Sequence, residues 1–316
     1  MKIFVTGCAG FIGFHLVKRL THDGHEVIGI DNNNNYYSPI LKAKRLEILK
    51  SKNFSFIECD LNNIVVNGKD IDIAINLAAQ AGVRVTKEQE HLYDSTNVKG
   101  FESFCNFCMQ NDINKLLYAS SSSVYSGVVN EKFCETNSVI NPISKYGKSK
   151  LLNEIFASQM CKLNDISMVG LRFFSVYGPL GRPDMAYYSF AEAINKQQPI
   201  FLNNKGNMFR DMTYIEDVVE GILGAIEYTL DPKNKNNNEI FNLGNDNPIK
   251  ISYMLKKIEQ TLGAKAIVKH AISKNEVIKT HADISKARNL LGYEPKFSFE
   301  QGIEKFLEWY KGYEKI

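Results

Sequence analysis

The sequence predicts an α/β protein built on a doubly wound parallel sheet, with a smaller domain towards its C-terminus. Three observations carry that expectation. Lys2 to Val5 is a short apolar run, Gly7, Gly10 and Gly13 follow at three-residue spacing, and a helical pattern continues through His15, Leu16, Val17 and Leu20. A second strand, Glu26 to Ile30, ends at Asp31, 18 residues beyond Gly13. Short buried strands then alternate with amphipathic helices as far as Val169 to Phe173, with no internal repeat or low-complexity linker. Alternation of this kind specifies a parallel sheet covered by helices, the Rossmann type.

The opening unit has a physical use. Glycines let the backbone turn sharply and approach a pyrophosphate, whose charge then sits at a helix N-terminus. The spacing is G-x-x-G-x-x-G, and three glycines near a turn are by themselves only turn chemistry. The acidic residue ending the second strand supplies the context, because it stands where a carboxylate accepts hydrogen bonds from an adenosine ribose. Asp31 would repel a 2′-phosphate, so the expected cofactor is NAD rather than NADP.

Asn32 to Asn35, followed by Tyr36 and Tyr37, reads either as a loop closing over the adenosine or as a solvated asparagine-rich loop. Ile40 to Lys50 has helical spacing and Phe54 to Glu58 reads as a strand, after which Asp60 is placed to reach an adenine amino group. Ile71 to Leu77 is nearly continuous apolar sequence, as a central parallel strand requires. The small residues Ala78-Ala79-Gln80-Ala81-Gly82 then let backbone pass beside a cofactor. A helix from Asp94 to Gln110, a strand from Lys115 to Ser120, a late strand from Glu239 to Leu243, and helices over Ser252 to Leu262, Asp283 to Leu291 and Glu300 to Lys311 complete the reading.

Composition narrows the class. The 316 residues are 44% hydrophobic and 23% charged, and 38 basic against 35 acidic residues leave a net charge of +3. That balance, without a dense basic stripe, gives no footprint for nucleic acid. No apolar run reaches the length of a membrane span. Val5-Thr6-Gly7-Cys8 has the look of a lipoprotein cleavage box, but too few residues precede it to make a charged and an apolar region, so no export signal is expected. Of six scattered cysteines only Cys105 and Cys108 form a C-x-x-C, with neither a second pair nor nearby histidines. Free thiols in a reducing cytoplasm are expected, and no metal site.

Two later stretches hold candidate chemistry. Tyr146-Gly147-Lys148-Ser149-Lys150 opens a helix, and the Y-x-x-x-K spacing sets Tyr146 and Lys150 one turn apart on one face. A cation in reach lowers a tyrosine from its ordinary pKa of about 10, so Lys150 is expected to make Tyr146 a base. Tyr118 to Tyr125 runs a strand into a serine cluster at its carboxyl end, where open α/β sheets bind ligands. Those serines read as turn formers or as hydroxyls aimed at substrate.

Together TGCAGFIG, the strand ending at Asp31, NLAAQAGVR, ASSSSVY and YGKSK resemble the extended short-chain dehydrogenase/reductase family, specifically its nucleotide-sugar epimerases, over essentially the whole chain. LRFFSVYGP from Leu171, GRPDMA from Gly181 and RDMTYI from Arg210 are most similar to UDP-glucuronate 4-epimerases. The resemblance implies Tyr146 as base, Lys150 as its partner and nicotinamide-ribose ligand, and Ser121 as the assisting hydroxyl. It implies Ser122, Ser123 and Ser175 around a sugar carboxylate, with Arg182 and Arg210 facing the substrate and its diphosphate. Cofactor contacts are expected from Gly7, Gly10, Phe11, Ile12, Gly13, Asp31, Asn32, Asp60, Leu61, Leu77, Ala78, Ala79, Gln80, Asn97, Ser120, Tyr146, Lys150, Phe173 and Val176.

The implied reaction borrows a hydride: tyrosinate takes the proton of the sugar 4-OH, NAD takes the C4 hydride, and the 4-keto sugar turns over and receives it on the other face. Related dehydratases carry an Asp-Glu pair where Ser122 and Ser123 stand, and related decarboxylases a Glu, so epimerisation without elimination is favoured. Leu180 replaces a usual Trp, Ser175 a usual Thr, and Ser273 to Val277 departs from the usual Gln-Pro-Gly-Asp-Val. A 4-epimerase for UDP-glucose or UDP-N-acetylglucosamine is the alternative, and a non-catalytic dinucleotide-binding protein a third reading. The resemblance divides the chain into an NAD-binding domain, 1–176 with 213–243 returning to it, and a UDP-sugar-binding domain, 177–212 with 244–316. It also implies a homodimer through the helices after Asp94 and Tyr146, where Phe101, Phe104, Phe107, Leu151, Leu152, Ile155 and Phe156 equally suit a buried helix.

Overall fold

The computed structural model describes residues 1–83, 85–125, 132–136, 140–271 and 277–314. Arg84 and Ser273 to Glu276 fall outside them. Seven strands form one parallel sheet: β1 (Lys2–Thr6), β2 (Glu26–Asp31), β3 (Phe54–Glu58), β4 (Ile73–Asn76), β5 (Lys115–Ser121), β6 (Ser167–Phe173) and β10 (Asn238–Leu243). Their spatial order is β10-β6-β5-β4-β1-β2-β3, and each neighbouring pair runs parallel. The chain therefore reverses its direction of winding between β1 and β4, and the crevice outside their carboxyl ends is the ligand position of such a sheet.

The apolar runs explain the centre. Every residue of β4 and β6 is buried, as strands covered on both faces must be. Helix α1 (Phe11–His22) buries Phe14, Val17 and Leu20 at helical spacing; α2 (Pro39–Leu49), α3 (Gly100–Gln110), α4 (Lys145–Leu163) and α6 (Ile215–Leu230) complete the cover. Helix α6 packs on α1, β5 and β6, and Arg19 of α1 pairs with Glu220 of α6.

Three short strands make a second sheet: β7 (Ser175–Tyr177) lies parallel to β9 (Phe209–Tyr214), which pairs antiparallel with β11 (Pro248–Lys250). A parallel pair, β8 (Pro199–Asn203) with β12 (Ile267–Ala271), stands apart. Around them α5 (Ala186–Asn195), α7 (Ile251–Leu262) and α9 (Phe299–Glu314) pack in sequence, while α8 (Ser285–Leu291) packs on α6. An aromatic cluster of Tyr187, Tyr188, Phe306 and Tyr310 joins α5 to α9.

The expected helix from Asp94 to Gln110 has a wider first part, a π-helical segment Tyr93–Lys99 that runs into α3. Such a segment re-aims side chains at functional sites. Phe101, Phe104 and Phe107 are buried within the chain itself, whereas Leu152 and Ile155 of α4 are exposed. All six cysteines are free thiols, with Cys105 and Cys108 buried in α3. Among the described residues no cluster of His, Cys, Asp and Glu could hold a metal ion, and no helix is long and apolar enough to cross a membrane.

Candidate active site

The crevice at the β1/β4 switch is walled on one side by the glycine turn. Gly7 has φ +70°, and a Cβ there would lie 2.7 Å from the Ala78 backbone nitrogen; a Cβ on Gly13 would lie 2.1 Å from the Gly7 oxygen. The turn is thus pressed against the end of β4, and only hydrogen fits at either place. Helix α1 begins immediately after it at Gly10 with no side-chain cap, leaving backbone N–H groups to meet an anion. A Gly13→Ala change is expected to force the turn open at about 1–3 kcal/mol, read in calorimetry as an NAD affinity weakened about tenfold or more with the rest of the fold intact.

Asp31 closes the adenosine end. Its carboxylate accepts from the amides of Ala9, at 3.2 Å, and Asn33, at 2.9 Å. The Lys42 ammonium, which sequence reading missed, stands 3.5 Å away and is buried with it. Asn32, Leu61, Leu77, Ala78, Ala79 and Gln80 line the same crevice, as do Phe11, Ile12, Phe173 and Val176. Two further residues expected at the cofactor bond to the protein's own chain here. Asp60 is bonded to the side chains of Asn32 and Asn62. Asn97, turned by the π-helical segment, grips both the amide and the carbonyl of Gln80 at 2.8 and 3.1 Å, and so supports the wall.

At the nicotinamide end, α4 and β5 bring the catalytic candidates together. Ser144 caps α4 by accepting from the Gly147 amide, which fixes the first turn and with it Tyr146. Tyr146 and Ser121 line the crevice together, and the Tyr146 ring lies 6.0 Å from that of Tyr93. Burial holds the Tyr146 phenol above its ordinary value; the charge of Arg182 and the Ser121 hydroxyl pull the other way. Lys150 is not the cation that acts on Tyr146, contrary to the sequence expectation. Its ammonium donates to the Ala119 carbonyl at 2.8 Å, and burial lowers it to about 8 against the opposing charge of Glu154.

Arg182 reaches this site from the segment after β7. It is held by Asp184 through Nε, at 3.0 Å, and Nη2, at 2.5 Å. Tyr36, from the asparagine-rich loop, donates to the same Asp184 at 3.3 Å and lines the crevice. Ser122 and Ser123 sit on a 3-10 turn after β5, where the Ser123 amide donates to the Ser121 hydroxyl at 3.1 Å. Ser175 opens β7. Arg210 lies in β9, farther out, donating to the Phe209 carbonyl.

Behind the hydroxyls lies a network that periodicity alone does not reveal. Arg172 of β6 and Glu154 of α4 are almost fully buried and paired through Nε–Oε1 at 2.8 Å and Nη2–Oε2 at 2.7 Å. Ser120 donates to Glu154 at 2.5 Å. The available signal was the spacing of Glu154, one further turn along the face of Tyr146 and Lys150.

A glycine turn at the switch point, facing a tyrosine-serine pair and a buried lysine, defines a dinucleotide-dependent enzyme of the short-chain type. The profile of the NAD dependent epimerase/dehydratase family matches residues 3–244, and the chain belongs to that family. It is 47% identical to an uncharacterized protein of Methanocaldococcus jannaschii, over 98% of this chain and 96% of that one. It is 37% identical to UDP-glucuronate 4-epimerase 1 of Arabidopsis thaliana, over 99% of this chain and 77% of the plant protein. Among solved structures, UDP-glucuronic acid 4-epimerase from Bacillus cereus, in complex with UDP-glucuronic acid and NAD, superposes with a TM-score of 0.91 at 32% identity, covering 99% of this chain and all of that one.

Proposed function

We propose that the chain is an NAD-dependent UDP-glucuronate 4-epimerase, giving UDP-galacturonate. The observation that carries this reading is the meeting of Ser121, Tyr146 and Lys150 on the lining of a dinucleotide crevice, in a fold that matches the Bacillus cereus enzyme end to end. Bound NAD supplies a hydride acceptor at C4 of the sugar and returns the hydride to it. The residues fit that group: the glycine turn leaves room only for backbone, and Asp31 faces the crevice.

The protein's own part is proton transfer and positioning. Tyr146 takes the proton of the 4-OH, with Ser121 holding the oxygen in line, and gives it back after the 4-keto sugar has turned. Lys150, buried beneath the crevice, keeps a positive charge below about pH 8 and is placed for the nicotinamide ribose. Ser122, Ser123 and Ser175 offer neutral hydroxyls to the sugar carboxylate, and Arg182 offers charge. Arg210 is placed for the diphosphate. Residues 1–176 with 213–243 hold the cofactor, and 177–212 with 244–316 the UDP-sugar; β7 straddles the first boundary.

Purified protein incubated with UDP-glucuronate and no reductant is expected to yield UDP-galacturonate without net NADH, resolved by chromatography. Turnover of UDP-glucose or UDP-N-acetylglucosamine with none of UDP-glucuronate would replace the acid by a neutral sugar. The exposed α4 side chains Leu152, Ile155 and Leu163, with Met109 exposed on α3, favour a homodimer across α3 and α4. Sedimentation should give twice the chain mass, and Leu152→Glu with Ile155→Glu should give the monomer. We place the enzyme in the cytoplasm, where free thiols persist.

A further inference from the structure

Arg45 of α2 is a fully buried guanidinium, and among the described residues no carboxylate pairs with it. Its donors go to carbonyls of two separate loops. One Nη donates to Ala9 O in the glycine turn at 2.8 Å and to the Tyr37 hydroxyl at 2.6 Å. Nε and the other Nη donate to Leu180 O at 3.2 and 2.7 Å, and that Nη also reaches Gly181 O at 3.2 Å. His15 of α1 takes the preceding carbonyl, Pro179 O, at 3.0 Å. Burial pushes His15 down to about 4, so at neutral pH it is the uncharged ring, donating through Nε2.

Three successive carbonyls, Pro179 to Gly181, are thus seated on α1 and α2, and the next residue is Arg182. Leu180 is also left-handed, at φ 54°, a conformation a leucine holds only when its surroundings fix it. A Cβ on Gly181 would meet the Tyr187 hydroxyl at 1.8 Å, so the segment has no room to shift on that side. A buried cation without an anion is retained only where its donors are all used.

We propose that Arg45, assisted by His15, is a positioning residue for the sugar: it fastens the segment leading into Arg182 to the glycine turn, so that cofactor cradle and sugar-facing charge are held as one rigid unit. This rests on the reading that Arg182 faces the sugar of a UDP-sugar. Lysine in its place keeps a charge but has one ammonium for a fork that spans two loops.

The test compares Arg45→Lys, the milder His15→Ala, Arg182→Ala and the double Arg45→Lys/Arg182→Ala. The readouts are KM for UDP-glucuronate, the inhibition constant of UDP and hydrogen exchange of the peptide from 178 to 189. The expected result is a KM raised tenfold or more in Arg45→Lys and less in His15→Ala. UDP should bind within twofold of its native strength, and the double variant should be no worse than Arg182→Ala. A KM and a UDP constant rising in parallel, or effects of Arg45 and Arg182 that multiply, would overturn the proposal. Should the native protein leave UDP-glucuronate untouched, the functional reading fails, and exchange decides the matter. Faster exchange confined to 178–186 in both Arg45→Lys and His15→Ala supports the seat, and unchanged exchange removes it.

Discussion

Replacing Tyr146 by Phe is expected to lower kcat about a thousandfold, the scale of a lost general base, while NAD stays bound and the fold holds. Phe keeps the ring against Tyr93 and removes only the hydroxyl on which Ser121 and Arg182 act. The pH dependence follows from the same surroundings. Burial raises the Tyr146 pKa, so the phenol is protonated in the neutral range and turnover should climb as pH rises towards its ionisation. Arg182 is the charge that opposes burial. Arg182→Ala should therefore move that climb to higher pH, by about one unit for a cation at this range. Above about pH 8 Lys150 becomes neutral, so the climb should flatten there although the phenol has yet to ionise. Steady-state kcat measured from pH 5 to 10 on the native protein and both variants checks all three; a climb unmoved by Arg182→Ala would return the role to Lys150.

The parts of this site legible in the sequence are those set by local spacing. Gly7, Gly10 and Gly13 sit between a strand and a helix, Asp31 ends the next strand, and Tyr146 and Lys150 share a helix face; each relation spans a few residues or one β-α-β unit. What escaped depends on contacts between distant segments. Arg45 looked like one more cation in a helix of Lys42, Lys44 and Arg45, and nothing in the chain says that it meets Leu180. The Arg182–Tyr146 relation likewise joins distant segments, so Lys150, the cation one turn on along the same helix face, took its place. Asn97, which the resemblance implies as a cofactor contact, is turned by the π-helical segment onto Gln80. The three-residue strands β7 and β11 carry too few residues for alternation to show.

Removing one partner of the Glu154–Arg172 pair should be the most damaging single change to stability. Glu154→Ala leaves a guanidinium almost fully buried whose one remaining side-chain hydrogen bond among the described residues is to the hydroxyl of Tyr125, at 2.5 Å. An uncompensated buried charge of this kind costs about 3–5 kcal/mol, which urea unfolding should register as a large drop in midpoint. Replacing both partners by residues of similar volume, Glu154→Leu with Arg172→Met, removes the two charges together and should recover most of that loss, because two desolvated ions are exchanged for apolar contacts. Activity should not recover in step. Glu154 is the carboxylate that opposes the burial of Lys150, and it holds Ser120 beside Ser121 through a 2.5 Å bond. The double variant should therefore fold, but its turnover should level off at lower pH than the native protein's as Lys150 discharges earlier. A double variant with native stability that levels off at the native pH would make the pair structural alone; stability with the earlier levelling ties it to the lysine.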